Sequence, residues 1–264
     1  MNGHVARISI APVKSLGLVH PDEVLIGPRG VAGDRRFWLV DEDGRLVNDK
    51  RYGPLVRIRP EWDERTRRLA LTFPGERVEG VVDLGEPVAA ELYGVPLPSH
   101  RVRGPWEAAI SGFLGRPLTL LWADEGATDR GLRGGTVSLV SRASLRRLGE
   151  EAGAGPTVDG RRFRMLLEID GVDAHAEDAW LGTRVEVGEA VLAPVGDVGR
   201  CVVTSHDPDT GVTDLDTLGT LARYRRDGRM EALPFGVYGS VVVPGRVRVG
   251  DAVRPLETRT LAAT

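Results

Sequence analysis

Apolar and polar positions alternate from residue 5 to residue 10, the period of a half-buried strand. Short apolar runs recur at residues 24–26, 36–40, 55–58, 69–73, 80–83 and 88–92. Turn residues separate several of them, as in Gly27-Pro28-Arg29-Gly30 and Asp41-Glu42-Asp43-Gly44-Arg45, so each run is predicted to be a strand. The period lengthens at 105–114, where Pro105 opens and Gly115 closes a predicted helix. Short helices are also expected at 141–148, capped by Ser141, and at 217–224. Strands are predicted again at 118–122, 163–169 and 190–195, with a loop over 149–159. Residues 237–243 and 247–253 read as a hairpin-like pair. Short strands at regular spacing make the chain mainly β with a few short helices, a barrel or a sandwich. Pro96, Pro98, Gly104 and Pro105 cluster among few apolar residues, which predicts a boundary between residues 1–100 and 101–264.

Composition narrows the class. Of 264 residues, 41% are hydrophobic, enough for a sizeable core, and 28% are charged. The formal net charge of −3 argues against a general nucleic-acid binder or a basic membrane-surface protein. No apolar run approaches membrane-spanning length, so the expected location is cytoplasmic, with no membrane partner. A single cysteine fits a reducing compartment.

That cysteine, Cys201, cannot form an internal disulfide, so its value is packing or reactivity. Arg200 beside it favours a thiolate. A β-rich run precedes it, and Asp207-Pro208-Asp209-Thr210-Gly211 follows as a tight turn, so the thiol is predicted just past a strand end. Several-thiolate zinc is excluded because no second cysteine exists.

Gly199-Arg200-Cys201-Val202-Val203-Thr204, followed by Asp207-Pro208-Asp209-Thr210-Gly211, resembles the cysteine motif of MOSC-domain proteins. Among these, the amidoxime-reducing components and bacterial proteins that detoxify N-hydroxylated bases are the most similar in pattern. The resemblance implies a MOSC β-barrel domain after an N-terminal β-barrel region. It makes Cys201 the ligand of molybdenum in a molybdenum cofactor (Mo-molybdopterin) and the residue carrying catalysis. A soft thiolate suits that metal, and a cofactor with its own sulfurs asks only one of the protein.

The cofactor's phosphate calls for cations and N–H donors. Locally, Lys14-Ser15 is a surface lysine with a turn serine; the resemblance makes the pair a cofactor contact. Arg36 matches the family's arginine before Phe-Trp. Gly134-Gly135-Thr136 reads as an anion nest or as a plain turn. Gly199 and Arg200 flank the ligand, Gly199 standing where the family often has serine. Phe163-Arg164 matches the first half of the family's Phe-Arg-Pro-Asn motif, with Met165 and Leu166 replacing its Pro and Asn. Leu166 cannot supply the hydrogen bonds of an amide. Asp207, Asp209 and His206 are turn residues or proton donors.

The implied activity is molybdenum-dependent reduction of small N-hydroxylated compounds. Electrons would come from a separate ferredoxin-like or flavin-reductase-like donor protein, since one cysteine cannot hold an iron–sulfur cluster. Two alternatives stand beside it: sulfur transfer through a Cys201 persulfide, and a module that binds and delivers the cofactor.

Overall fold

The structure, a computed structural model, describes residues 3–129 and 135–256. Gly134 lies outside the described residues. The chain opens with β1 (Gly3–Ile8), β2 (Glu23–Gly27), β3 (Gly30–Val31), β4 (Phe37–Val40) and β5 (Leu46–Val47). Next come β6 (Arg59–Asp63), β7 (Arg68–Thr72), β8 (Arg77–Val81), β9 (Asp83–Val88), β10 (Glu91–Leu92), β11 (Val95–Pro96) and β12 (Ser99–Arg103). Helix α1 (Trp106–Leu114) leads to β13 (Thr119–Ala123) and β14 (Val137–Ser141). Then follow α2 (Arg142–Ala152), β15 (Leu167–Asp170), β16 (Arg184–Val187), β17 (Ala190–Gly199) and α3 (Thr217–Tyr224). Strands β18 (Pro234–Val243), β19 (Gly245–Arg248) and β20 (Ala252–Leu256) close it.

Seven strands form a closed barrel in the order β1-β15-β14-β18-β17-β16-β20. Its interior packs Val5, Ile8, Leu139, Leu167, Ile169, Leu192, Val237 and Val253, all without solvent exposure. Strands β14 and β15 run parallel, which requires a crossover, and α2 lies within it. The Ser141 side chain caps α2 as predicted, accepting from the Ser144 N–H at 3.0 Å.

The remaining strands build a second core. A five-stranded sheet, β5-β4-β13-β12-β9, and a three-stranded sheet, β6-β7-β8, pack with α1 around Phe37, Leu69, Leu71 and Trp106. Trp106 seats its indole on this core and donates to the Leu69 carbonyl at 3.1 Å. Strand β1 belongs to the barrel, whereas β12, α1 and β13 belong with the N-terminal sheets. Among the described residues, no helix is long and apolar enough to cross a membrane.

Four expectations about local structure are corrected. Residues 55–58 are not a strand: Gly53–Arg57 is a 3-10 turn, with Pro54 at its start, where the missing N–H costs nothing. Residues 163–166 are not extended, because a 3-10 turn covers Gly160–Phe163 and Arg164 takes a left-handed φ of 52°. Helix α2 runs four residues beyond its predicted end and stops at Gly153, φ 63°. Strands β18 and β19 do not pair with each other. β18 already bonds β14 and β17 on its two edges, so β19 joins β2 and β20 joins β1 and β16.

One contact locks the turn after Cys201 to the N-terminal sheets. Gly53 and Gly211 meet backbone to backbone, and a Cβ on either overlaps the other's carbonyl. Replacing Gly53 with Ala is therefore expected to lower unfolding stability by about 1–3 kcal/mol in urea titration. Gly112→Ala, where nothing stands within 4 Å of the added carbon in α1, is the control. It should be neutral or gain up to about 1 kcal/mol.

Candidate functional site

Strand β17 runs ten residues along the barrel, past several register shifts, and ends at Gly199. Cys201 follows at the start of a 3-10 turn over Val202–Ser205, with its side chain exposed. Its carbonyl accepts from the Thr204 N–H at 3.1 Å and the Thr204 hydroxyl at 2.9 Å, which fixes the residue at the strand end. The thiol borders a cavity of about 190 Å³ between the barrel and the N-terminal sheets.

Both parts of the chain line that cavity. Lys14 and Ser15 arrive on the segment after β1, Arg35 on the approach to β4, and Asp49 after β5. Gly135, Thr136, Arg164, Gly199 and Arg200 come from the barrel side. Six cationic side chains (Lys14, Arg35, Lys50, Arg162, Arg164 and Arg200) face three carboxylates (Asp34, Asp49 and Asp129) among the described lining residues. Lys14 pairs with Asp129, Arg35 with Asp34 and Arg164 with Asp49, while Arg162 pairs with Asp214 outside the lining.

Arg164 sits at the junction. Its Nη2 donates to the Leu16 carbonyl at 2.7 Å, and its Nη1 stands 3.5 Å from Asp49. Burial and the neighbouring Arg35 cation push its pKa below the usual arginine value, against the pull of Asp49, Asp34 and Asp129. Arg35 donates to the Arg164 carbonyl at 3.0 Å and pairs with Asp34. Burial alone would lower the Arg35 pKa, but Asp34, Asp129 and Asp49 outweigh it and hold it raised. Lys14 is 5% exposed; it donates to the Ala127 carbonyl at 3.1 Å and pairs with Asp129.

The backbone is strained at the same place. Of seven non-glycine residues with left-handed φ among the described residues, Ser15, Arg35, Tyr93 and Arg164 all line this cavity. Each such conformation costs about 1–3 kcal/mol and persists only where surrounding contacts impose it.

Two consecutive arginines tether the loop beyond the thiol. Arg161 forks Asp209 at 2.9 and 2.7 Å while also holding Asp159, and Arg162 forks Asp214 at 2.6 and 2.7 Å. Asp207 caps the turn, accepting from the N–H groups of Asp209 and Thr210. The turn predicted from Asp207 to Gly211 is thus present, and Asp209 serves as an arginine partner instead of a second cap.

The structure brings together Cys201, Lys14, Ser15, Gly135, Thr136, Arg164, Gly199 and Arg200. It places Arg36 elsewhere. That side chain donates to the carbonyls of Ala123 (3.1 Å) and Asp124 (2.8 Å) and lies 4.8 Å over the Trp122 ring. Arg35 occupies the cavity instead. Arg200 directs its guanidinium to the carbonyls of Phe235 (2.9 Å) and Phe163 (3.1 Å) and lies over the Phe163 ring. Gly199 leaves room for Glu231, whose carboxylate accepts from its N–H at 3.1 Å. Sequence reasoning missed Asp34, Asp49, Tyr93, Asp129 and Ser138. Their only signal is position: none stands in a motif.

Residues 130–254 match the model of the MOSC domain, and residues 2–91 that of the MOSC N-terminal beta barrel domain. The chain belongs to the MOSC family. Similarity extends to mitochondrial amidoxime-reducing component 1 of Homo sapiens, 28% identical over 95% of this chain and 82% of that protein. Molybdenum cofactor sulfurase of Oryza sativa subsp. japonica is 28% identical over 84% of this MOSC chain. The chain spans 31% of the length of that sulfurase, and 34% of the one from Anopheles gambiae. Among solved structures, the YuaD protein from Bacillus subtilis covers 97% of this chain and 98% of its own, at 13% identity and a TM-score of 0.47.

The arginine forks give this MOSC protein a defined acid response. The Arg162 hydrogen bonds hold the Asp214 carboxyl below its ordinary pKa, and those of Arg161 do the same for Asp209. A depressed acid contributes stability above its unfolded pKa and loses it as pH falls through the folded one. Asp214→Asn should therefore lower the melting temperature at pH 6. The gap to wild type should close as pH falls below about 4. Thermal melts of both proteins across that range are the check.

Proposed function

We propose that this MOSC protein is a molybdenum-cofactor-dependent reductase of N-hydroxylated compounds, with Cys201 as the protein's ligand to the metal. One observation carries the reading: an exposed lone thiol at the rim of a cavity whose described lining holds more cationic than anionic side chains. Among the described residues, no group of three or more His, Cys, Asp or Glu side chains could hold a metal ion. A metal here would therefore need donors of its own, as the sulfurs of a pterin cofactor provide.

The residues present fit such a group. Lys14, Arg35 and Arg164 would exchange part of their present pairing with Asp129, Asp34 and Asp49 for a phosphate. The Thr136 hydroxyl, on a residue of the same lining, is buried with no hydrogen-bond partner. Where the family has an amide, Leu166 turns apolar and packs with the barrel core, but its N–H donates to the Ser138 hydroxyl at 2.9 Å. Ser138 thereby supplies a polar group beside it in the cavity lining.

Bound there, the cofactor supplies the two-electron chemistry that converts N–OH and two protons to N–H and water. Cys201 fixes the metal's position, and the Arg161 and Arg162 forks keep the thiol's loop in place. The Lys14 ammonium is held in the lining by the Ala127 carbonyl and Asp129. The electrons come from a donor outside these 264 residues, because one cysteine cannot hold an iron–sulfur cluster.

The exposed thiol also favours a second reading, sulfur transfer through a Cys201 persulfide. Metal and pterin analysis after expression in a cofactor-competent host separates the two. The reductase reading expects about one molybdenum per chain, lost at least tenfold in Cys201→Ala, with benzamidoxime reduced by wild type given a chemical electron donor. Metal-free wild type carrying a persulfide on Cys201 would overturn it.

A further inference from the structure

Strands β10 and β11 form an isolated two-stranded hairpin, with Leu92 opposite Val95. Its two turn residues, Tyr93 and Gly94, have φ values of 53° and 79°. A turn with both central residues left-handed favours Asn-Gly, Asp-Gly or Gly-Gly, and tyrosine at the first position is strained. Burial does not compensate, because Tyr93 is 61% exposed. The ring instead borders the Cys201 cavity, with the Lys14 ammonium 5.7 Å from its centroid. The residue lies between the two stretches that match the family models.

The aromatic thus stands at a strained, exposed tip, with its ring in the lining of the cavity that holds the thiol. We propose that Tyr93 is a specificity-determining residue: its ring is a stacking wall that selects planar, conjugated N-hydroxylated compounds over aliphatic ones. This rests on the reductase reading above.

Isothermal titration of the oxidised holoprotein, without reductant, tests it with benzamidoxime and acetamidoxime as probes. Tyr93→Asn should weaken benzamidoxime about 3- to 10-fold and leave acetamidoxime within about twofold. The same variant should raise the melting temperature, since Asn accepts the left-handed turn. Tyr93→Phe, which keeps the ring, should retain the preference. Unchanged benzamidoxime affinity in Tyr93→Asn, an equal loss for both probes, or a lowered melting temperature would overturn the assignment and leave the reductase reading standing. Wild-type holoprotein that binds neither probe would overturn both.

Discussion

The guanidinium of Arg164 is the constraint on which the site depends. It reaches from the barrel into the N-terminal sheets, donating to Leu16 and pairing with Asp49. Arg35 returns the contact by donating to the Arg164 carbonyl. Two cations thus share one buried junction, and burial with mutual repulsion lowers the Arg164 pKa. A desolvated charge is tolerated only when paired, and the carboxylates lining the cavity are outnumbered by its cations.

Neither part of the chain makes the site alone. The barrel supplies the thiol at the end of β17 and the arginines before β15. The N-terminal part supplies Lys14, Arg35 and Asp49. The glycine-to-glycine contact between residues 53 and 211 and the Arg59–Asp209 pair at 3.4 Å hold the thiol's loop across the junction, and the Arg161–Asp209 fork holds it from the barrel side. Left-handed backbone at Ser15, Arg35 and Arg164 gathers at the same junction.

Much of the β architecture was legible because burial on one face leaves an alternation in sequence, as in β1, and because Ser141 and Gly115 mark helix ends. Leu55 and Val56 misled because buried apolar residues look alike in a strand and in a 3-10 turn. The thiol and the Lys14-Ser15 pair were legible through a motif. Arg35 was not: Arg35 and Arg36 are neighbours of identical chemistry. Only the left-handed φ of 50° at Arg35 separates them, and the four consecutive buried residues of β4 give no parity to choose by. Asp49 and Tyr93 reach the cavity from loops distant in sequence, and no local pattern records such a meeting.

The family places this chain beside proteins named for amidoxime reduction and for cofactor sulfuration. What distinguishes these chemistries at Cys201 is whether its sulfur holds a metal or carries a second sulfur. X-ray absorption at the molybdenum edge of the purified holoprotein answers that most directly. The account predicts a protein sulfur bound to the metal in wild type that disappears in Cys201→Ser protein reconstituted with cofactor. Identical spectra from the two proteins would contradict it.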